Sequence, residues 1–466
     1  MLFNSFDFVY FILIFFPIYC LVGQKLKLVI LLLASYYFYM CWNINYVVLI
    51  FLTTLTSYLA SIGIENSNSK STKKIFLWSS ISASLIILSY FKYYNFFVVS
   101  INDTAGTNFS LMTYLLPVGI SFYTFETFSY TIDVYNKKLN AERNFWIYAL
   151  FVAFFPKLVA GPIERSENLI PQFYKKKTIN FKNITIGVKF IIMGFFMKLV
   201  IADRLSIYVD SVYNNVNLHS GGTFILATLS FSFQILCDFA GYSTIAIGIA
   251  KCLDYDLMLN FRRPYLALYF SDFWKRWHIS LSSWFRDYIY IPLGGNRASN
   301  FKVYRNLFLT FLISGLWHGA NWTFVAWGAL HGIFLIIESI FINKEKKSFL
   351  NQSFILRFFK RVFIFLLVSF AWIFFRANSI NDALTIINSL FNYNQPIYMD
   401  SKTLFFGIIG VAILLLLDTI AERFNKNNFL NNDKLSFPSL FTFAFLVIMI
   451  AYFGVFDGGQ FIYFQF

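Results

Sequence analysis

Residues 307–342 read LFLTFLISGLWHGANWTFVAWGALHGIFLIIESIFI. Two apolar arms flank a short polar joint, SGLWHGANW, at 314–322. A helix of ~20 apolar residues crosses a bilayer, and these arms have that character. His318 and His331 lie inside this apolar stretch. Polar side chains at membrane depth are costly and tend to line a pathway or contact another helix. The stretch therefore indicates a membrane protein and marks where its chemistry should be sought.

The rest of the chain repeats the pattern. Of 466 residues, 58% are hydrophobic and only 13% charged, roughly half the charge of an ordinary soluble domain. Apolar stretches recur near 5–22, 28–43, 46–64, 75–101, 109–133, 188–208, 223–250, 303–318, 321–342, 357–376, 403–420 and 437–456. The expected fold is an all-α polytopic membrane protein with about 11–12 transmembrane helices, forming one domain over residues 1–466. Two further apolar stretches, 145–170 and 262–297, are broken by Gly, Pro and charge. They are expected to be re-entrant or interfacial, because irregular backbone persists at membrane depth only where protein or water shields it.

The net charge of +15 fits Lys/Arg-rich cytoplasmic loops in contact with membrane lipids and does not call for nucleic acid. Lysines at 25 and 27, at 70–74, at 137–138 and at 175–177 alternate with links poor in cations, and the NKEKK run at 343–347 extends the set. This alternation places the N-terminus outside and the lysine runs in the cytoplasm. No Lys or Arg precedes Lys25, so the first apolar stretch reads as a retained span. Cys20, Cys41, Cys237 and Cys252 lack metal or redox spacing and read as buried free thiols.

Only four histidines are present. His219 lies in a polar loop, NNVNLHSGG, and reads as solvated. His318 and His331 are separated by 13 positions, ~20 Å along one helix, so a shared metal centre is not expected. Gly315, Gly319 and Ala320 thin the surface beside His318 and allow other backbone or a ligand to approach closely. An imidazole titrates near neutrality and can take a proton from a hydroxyl or thiol.

The segment SDFWKRWHISLSSWFRDYIYIPLGGNR, 271–297, is aromatic yet carries Asp272, Lys275, Arg276, His278, Arg286, Asp287 and Arg297. It is either an interfacial anchor or a polar funnel leading toward His318. A cationic funnel suits an anionic donor such as coenzyme A or an acidic carrier protein. The segment FPKLVAGPIERSENLIPQF, 155–173, reads as a loop folded into the protein. These features alone also fit a transporter or flippase without acyl chemistry.

In order, PVGISFYTFETFSYTIDVY (117–135), FPKLVAGPIERSENLIPQF, DFAGYSTIAIG, FWKRWHISLSSWFRDYIYIPLGGNR, SGLWHGANWTFVAWGALHG and SFAWIFFRA resemble the membrane-bound O-acyltransferase family. The match is strongest to its bacterial alginate and peptidoglycan O-acetylation branch. The D-alanyl transfer branch is a weaker match, since GPIERSENLIPQF and IPLGGNR read as acetylation-branch sequence. The resemblance implies a ring of helices around a central tunnel, with a signature histidine at His318 in the WHG motif beside Trp317, and a second at His278. It implies acetyl-CoA or an acyl carrier thioester as donor and no permanently bound cofactor. It further implies a polysaccharide acceptor, an extracytoplasmic serine-hydrolase-like acetyltransferase as partner, and the bacterial plasma membrane as location. Arg276, Arg286, Arg297, Lys275 and Asp272 would then shape the donor funnel. Asn321 would either orient His318 or simply begin the next helix.

Overall fold

The computed structural model describes residues 1–113, 116–297, 299–342, 353–423, 428–431, 433–434 and 436–456. Among them there are helices and no strands. The NKEKK run lies outside the described residues. Among the described residues seven helices are long and apolar enough to cross a membrane: Ile44–Asn66, Lys70–Ala105, Phe181–Tyr213, Gly222–Cys252, Trp322–Phe341, Phe354–Arg376 and Ser401–Arg423. Phe6–Leu21 and Phe437–Phe453 are apolar but shorter. The other three expected spans form helices Gln24–Met40, Ile120–Tyr135 and Asn300–His318, which are shorter or less apolar. The chain is a multi-pass, all-α membrane protein.

The chain divides into two compact units. The first comprises Met1–Ile191 and Ile245–Met258. In it the segment 147–166 is wholly buried, whereas the end of the expected folded-in loop 155–173 lies in a helix, Ser166–Tyr174, with exposed positions. Lys157 pairs with Glu126 inside it. The Glu164 carboxylate accepts the backbone N–H groups of Arg165 and Met258 and the Asn168 amide. These partners satisfy polar groups that lipid could not. The expected span 109–133 is helical only from Ile120. Gly119 (φ +73°) turns the chain there, and a β-carbon on it would lie 2.5 Å from the Leu158 carbonyl oxygen.

The second unit comprises Ile192–Thr244 and Leu259–Phe466. Its centre is the helix pair Asn300–His318 and Trp322–Ile342. Small residues let these backbones meet: a β-carbon on Gly328 would lie 2.3 Å from the Phe311 carbonyl oxygen. Residues 262–297 form no span. They build short helices, Phe270–Trp274 and Ile279–Phe285, followed by a wide turn over Arg286–Tyr290. Lys198 is buried in the same unit, in ion pairs with Asp203 and Asp238.

Two smaller expectations need correction. Only Cys237 is fully buried, whereas Cys20 and Cys41 are on exposed helix faces, because an apolar helix in lipid does not need to face a protein core. His219 is half-buried, with its ring 5.2 Å from that of Tyr398.

Gly328→Val should lower the melting temperature and the yield of folded protein in detergent, by the ~1–3 kcal/mol or more of an overpacked contact. Gly23→Ala has open space around the new carbon and should melt like the parent. Equal melting of all three proteins would contradict close packing at Gly328.

Candidate active site

His318 is the last residue of helix Asn300–His318 and is 2% exposed. Aromatic rings enclose it: Trp317 at 5.0 Å, Trp327 at 4.9 Å and Phe375 at 5.4 Å between ring centres. The room left by the nearby glycines goes to protein. A β-carbon on Gly315 would strike the Phe324 carbonyl, and one on Gly319 the Phe324 ring. Gly315 thus meets the backbone of the next helix, and Gly319 meets a side-chain ring.

His278 lies 6.4 Å from His318 between ring centres. It is fully buried and sits between two short helices in the left-handed conformation (φ 41°, ψ 56°). Such a conformation costs about 1–3 kcal/mol for a non-glycine residue. Backbone bonds hold it there: Ile279 N–H donates to the Asn260 carbonyl (2.8 Å) and Ser282 N–H to the His278 carbonyl (2.9 Å). Burial pushes the His278 imidazole down to about 3, so it is neutral at physiological pH. Trp317 touches both histidines, at 5.0 Å from His318 and 6.1 Å from His278.

The cations of the segment separate into two groups. Lys275 and Arg286 are exposed and line a cavity of about 390 Å³. Its wall also includes Trp274, Thr310, Phe311 and Ser314. Ser314 is one helical turn before His318, so the cavity runs along the face of the helix that ends at His318. Arg286 also pairs with Asp287 at 2.7 Å; an exposed pair of this kind binds weakly and leaves its charge available.

Arg276 and Asp272 are engaged elsewhere. Arg276 bonds Asp272 and Glu422, each at 2.9 Å, and Arg263 joins Glu422 at 3.0 Å. With two carboxylates on its guanidinium, Arg276 is a poor ligand for an anionic donor. Arg276 and Asp272 thus sit in this ion-pair cluster and outside the cavity's lining. Arg297 is exposed and lies outside the cavity's lining. Asn321 begins the next helix: its side-chain oxygen accepts the Thr323 N–H (3.0 Å) and its amide donates to the Asn378 carbonyl (3.2 Å).

Sequence reasoning missed three groups. Trp327 is fully buried between His318 (4.9 Å) and His331 (4.8 Å). Its position four residues before His331 puts both on one helix face, and this signal was available. Asn260 bonds His278 from 18 positions away, and Glu422 bonds Arg276 from 146 away. No local pattern marks either.

The chain belongs to the membrane-bound O-acyltransferase (MBOAT) family, whose model matches residues 32–379. The protein is an O-acyltransferase by that membership, which disfavours the transporter reading. It is 40% identical over 442 residues to a probable alginate O-acetylase, AlgI, of Pseudomonas putida, covering 93% of this chain and 89% of that protein. It is 34% identical over 449 residues to the peptidoglycan O-acetyltransferase of Helicobacter pylori, covering 90% and 81%. A teichoic acid D-alanyltransferase of Streptococcus thermophilus is 29% identical over 265 residues, covering only 53% and 62%.

His331 is fully buried among aromatic rings, Trp274 at 5.0 Å and Trp327 at 4.8 Å. Among the described residues neither of its ring nitrogens has a hydrogen-bond partner. Replacing such a group by an apolar one of similar shape is neutral or stabilising. His331→Phe should therefore melt at or above the parent temperature, while His331→Ala should lose ~2 kcal/mol or more to the cavity it leaves. A His331→Phe variant that melts well below the parent would show that the imidazole makes a needed polar contact.

Proposed function

We propose that this O-acyltransferase moves an acetyl group from a cytoplasmic thioester, acetyl-CoA or an acyl carrier, toward an extracytoplasmic polysaccharide. The cavity at Lys275 and Arg286 takes the donor. The cations meet its phosphates, and the apolar wall holds the acyl-bearing arm. His318 takes the proton of an acceptor hydroxyl as that oxygen bonds to the acetyl carbon. The carbon–sulfur bond breaks, and the proton passes to the departing thiolate. His278, neutral and next to His318, tunes it by favouring the positive charge that comes with the proton. The protein works in the bacterial plasma membrane. An extracytoplasmic serine-hydrolase-like acetyltransferase receives the acetyl group and completes the polymer.

What supports the reading is one arrangement: two buried imidazoles 6.4 Å apart, at the end of the helix whose flank walls a cavity bearing Lys275 and Arg286. The names of the alginate and peptidoglycan relatives, matched over most of the chain, favour acetyl over D-alanyl.

The test is single-turnover transfer from labelled acetyl-CoA by the purified protein in detergent, beside a melting curve. His318→Gln should fold normally and lose transfer by ~10²-fold or more, since an amide cannot serve as base. Arg286→Ala should weaken donor binding, with a loss that shrinks at high salt. Substantial transfer by folded His318→Gln would remove His318 from the mechanism. Transfer only from a D-alanyl carrier would replace the acetyl reading.

A further inference from the structure

Asn260 holds more of this site than its place in the sequence suggests. Its side-chain oxygen lies 3.1 Å from His278 Nδ1, accepts the Ser280 backbone N–H at 3.2 Å and accepts the Ser280 hydroxyl at 2.9 Å. Asn260 is 1% exposed, and Ser280 and His278 are fully buried. The oxygen and nitrogen of an amide are ordinarily interchangeable by a flip. Here they are not, because a backbone N–H can only donate, so the atom facing Ser280 must be oxygen. A flipped amide would set its NH₂ against that N–H and lose the backbone contact.

With the oxygen fixed, the state of the imidazole follows. A neutral ring has one donor nitrogen and one acceptor. The nitrogen facing the Asn260 oxygen must donate, so Nδ1 carries the hydrogen and Nε2 carries the lone pair. We propose that Asn260, locked by the Ser280 backbone, is a positioning residue that sets His278 in the Nδ1–H tautomer, leaving Nε2 with a lone pair and no hydrogen beside the imidazole of His318 that takes up the proton. The ring centres of the two histidines are 6.4 Å apart, close enough for the charge that His318 takes up with the proton to be felt at His278. An Nε2–H tautomer would instead set a second positive N–H beside an imidazole that becomes cationic when it takes the proton. The left-handed backbone at His278 (φ 41°) fits this reading, since strain persists where a side chain must be aimed. The role in transfer rests on the acyl-transfer reading above; the tautomer does not.

The experiment has two readouts. Nitrogen NMR of histidine-labelled protein reports which ring nitrogen of His278 carries hydrogen, with its signal assigned by comparison with His278→Gln. Single-turnover transfer from acetyl-CoA reports the consequence. The parent should show hydrogen on Nδ1. Asn260→Asp keeps an acceptor and should retain that tautomer and most of the transfer rate. Asn260→Leu has similar bulk and no acceptor. It should show a mixture of tautomers and lose transfer by ~10-fold or more, with a donor affinity near that of the parent. If Asn260→Leu does not fold, the parent spectrum and the Asn260→Asp rescue decide. Hydrogen on Nε2 of His278 in the parent would overturn the proposal, as would an Asn260→Leu variant that keeps both tautomer and rate. A parent protein with the Nδ1–H signal but no acyl transfer would instead defeat the functional reading.

Discussion

His318 ends a helix, and the chemistry of the site depends on where that helix stops. A helix leaves the carbonyls of its last turn without partners inside the helix, so its end must be capped or wet. Here the Gly319 N–H returns to the Gly315 carbonyl, and Asn321 starts the next helix two residues later. The tight joint lets Gly315 and Gly328 bring the two helices into backbone contact. That contact places Trp327 against His318 and closes one side of the imidazole. The remaining side meets His278, so one short joint brings the two histidines together.

The electrostatics follow the same economy. Charges are expensive in an apolar setting unless paired. Arg276, Arg263, Asp272 and Glu422 neutralise one another within one cluster, and Lys198 is held by Asp203 and Asp238. The cations available for an outside anion are the exposed ones on the cavity, Lys275 and Arg286. Pairing thus separates structural charge from charge that can attract a donor, although Arg276, Lys275 and Arg286 share one stretch of sequence.

Much of the fold was legible because hydrophobic length is read along the chain. Twelve apolar stretches became helices, and the charged, Pro- and Gly-broken segments became irregular pieces. The break at Gly119 was not legible, since it depends on the Leu158 carbonyl 39 residues away. In the site, the motif WHG pointed to His318, and RWHIS pointed to His278. Their partners were hidden for the same reason: Asn260, Phe375 and Glu422 come from distant segments. The carboxylate partners of Arg276 were not legible because a sequence shows charge and not what neutralises it.

The most direct measurement is a structure of the protein with a thioether analogue of acetyl-CoA, which binds as the donor does but cannot transfer. The predicted result places its phosphates at Lys275 and Arg286 and its acyl end past Ser314, beside His318 and His278. An analogue bound with its acyl end remote from His318, or away from both cations, would contradict the site proposed for transfer.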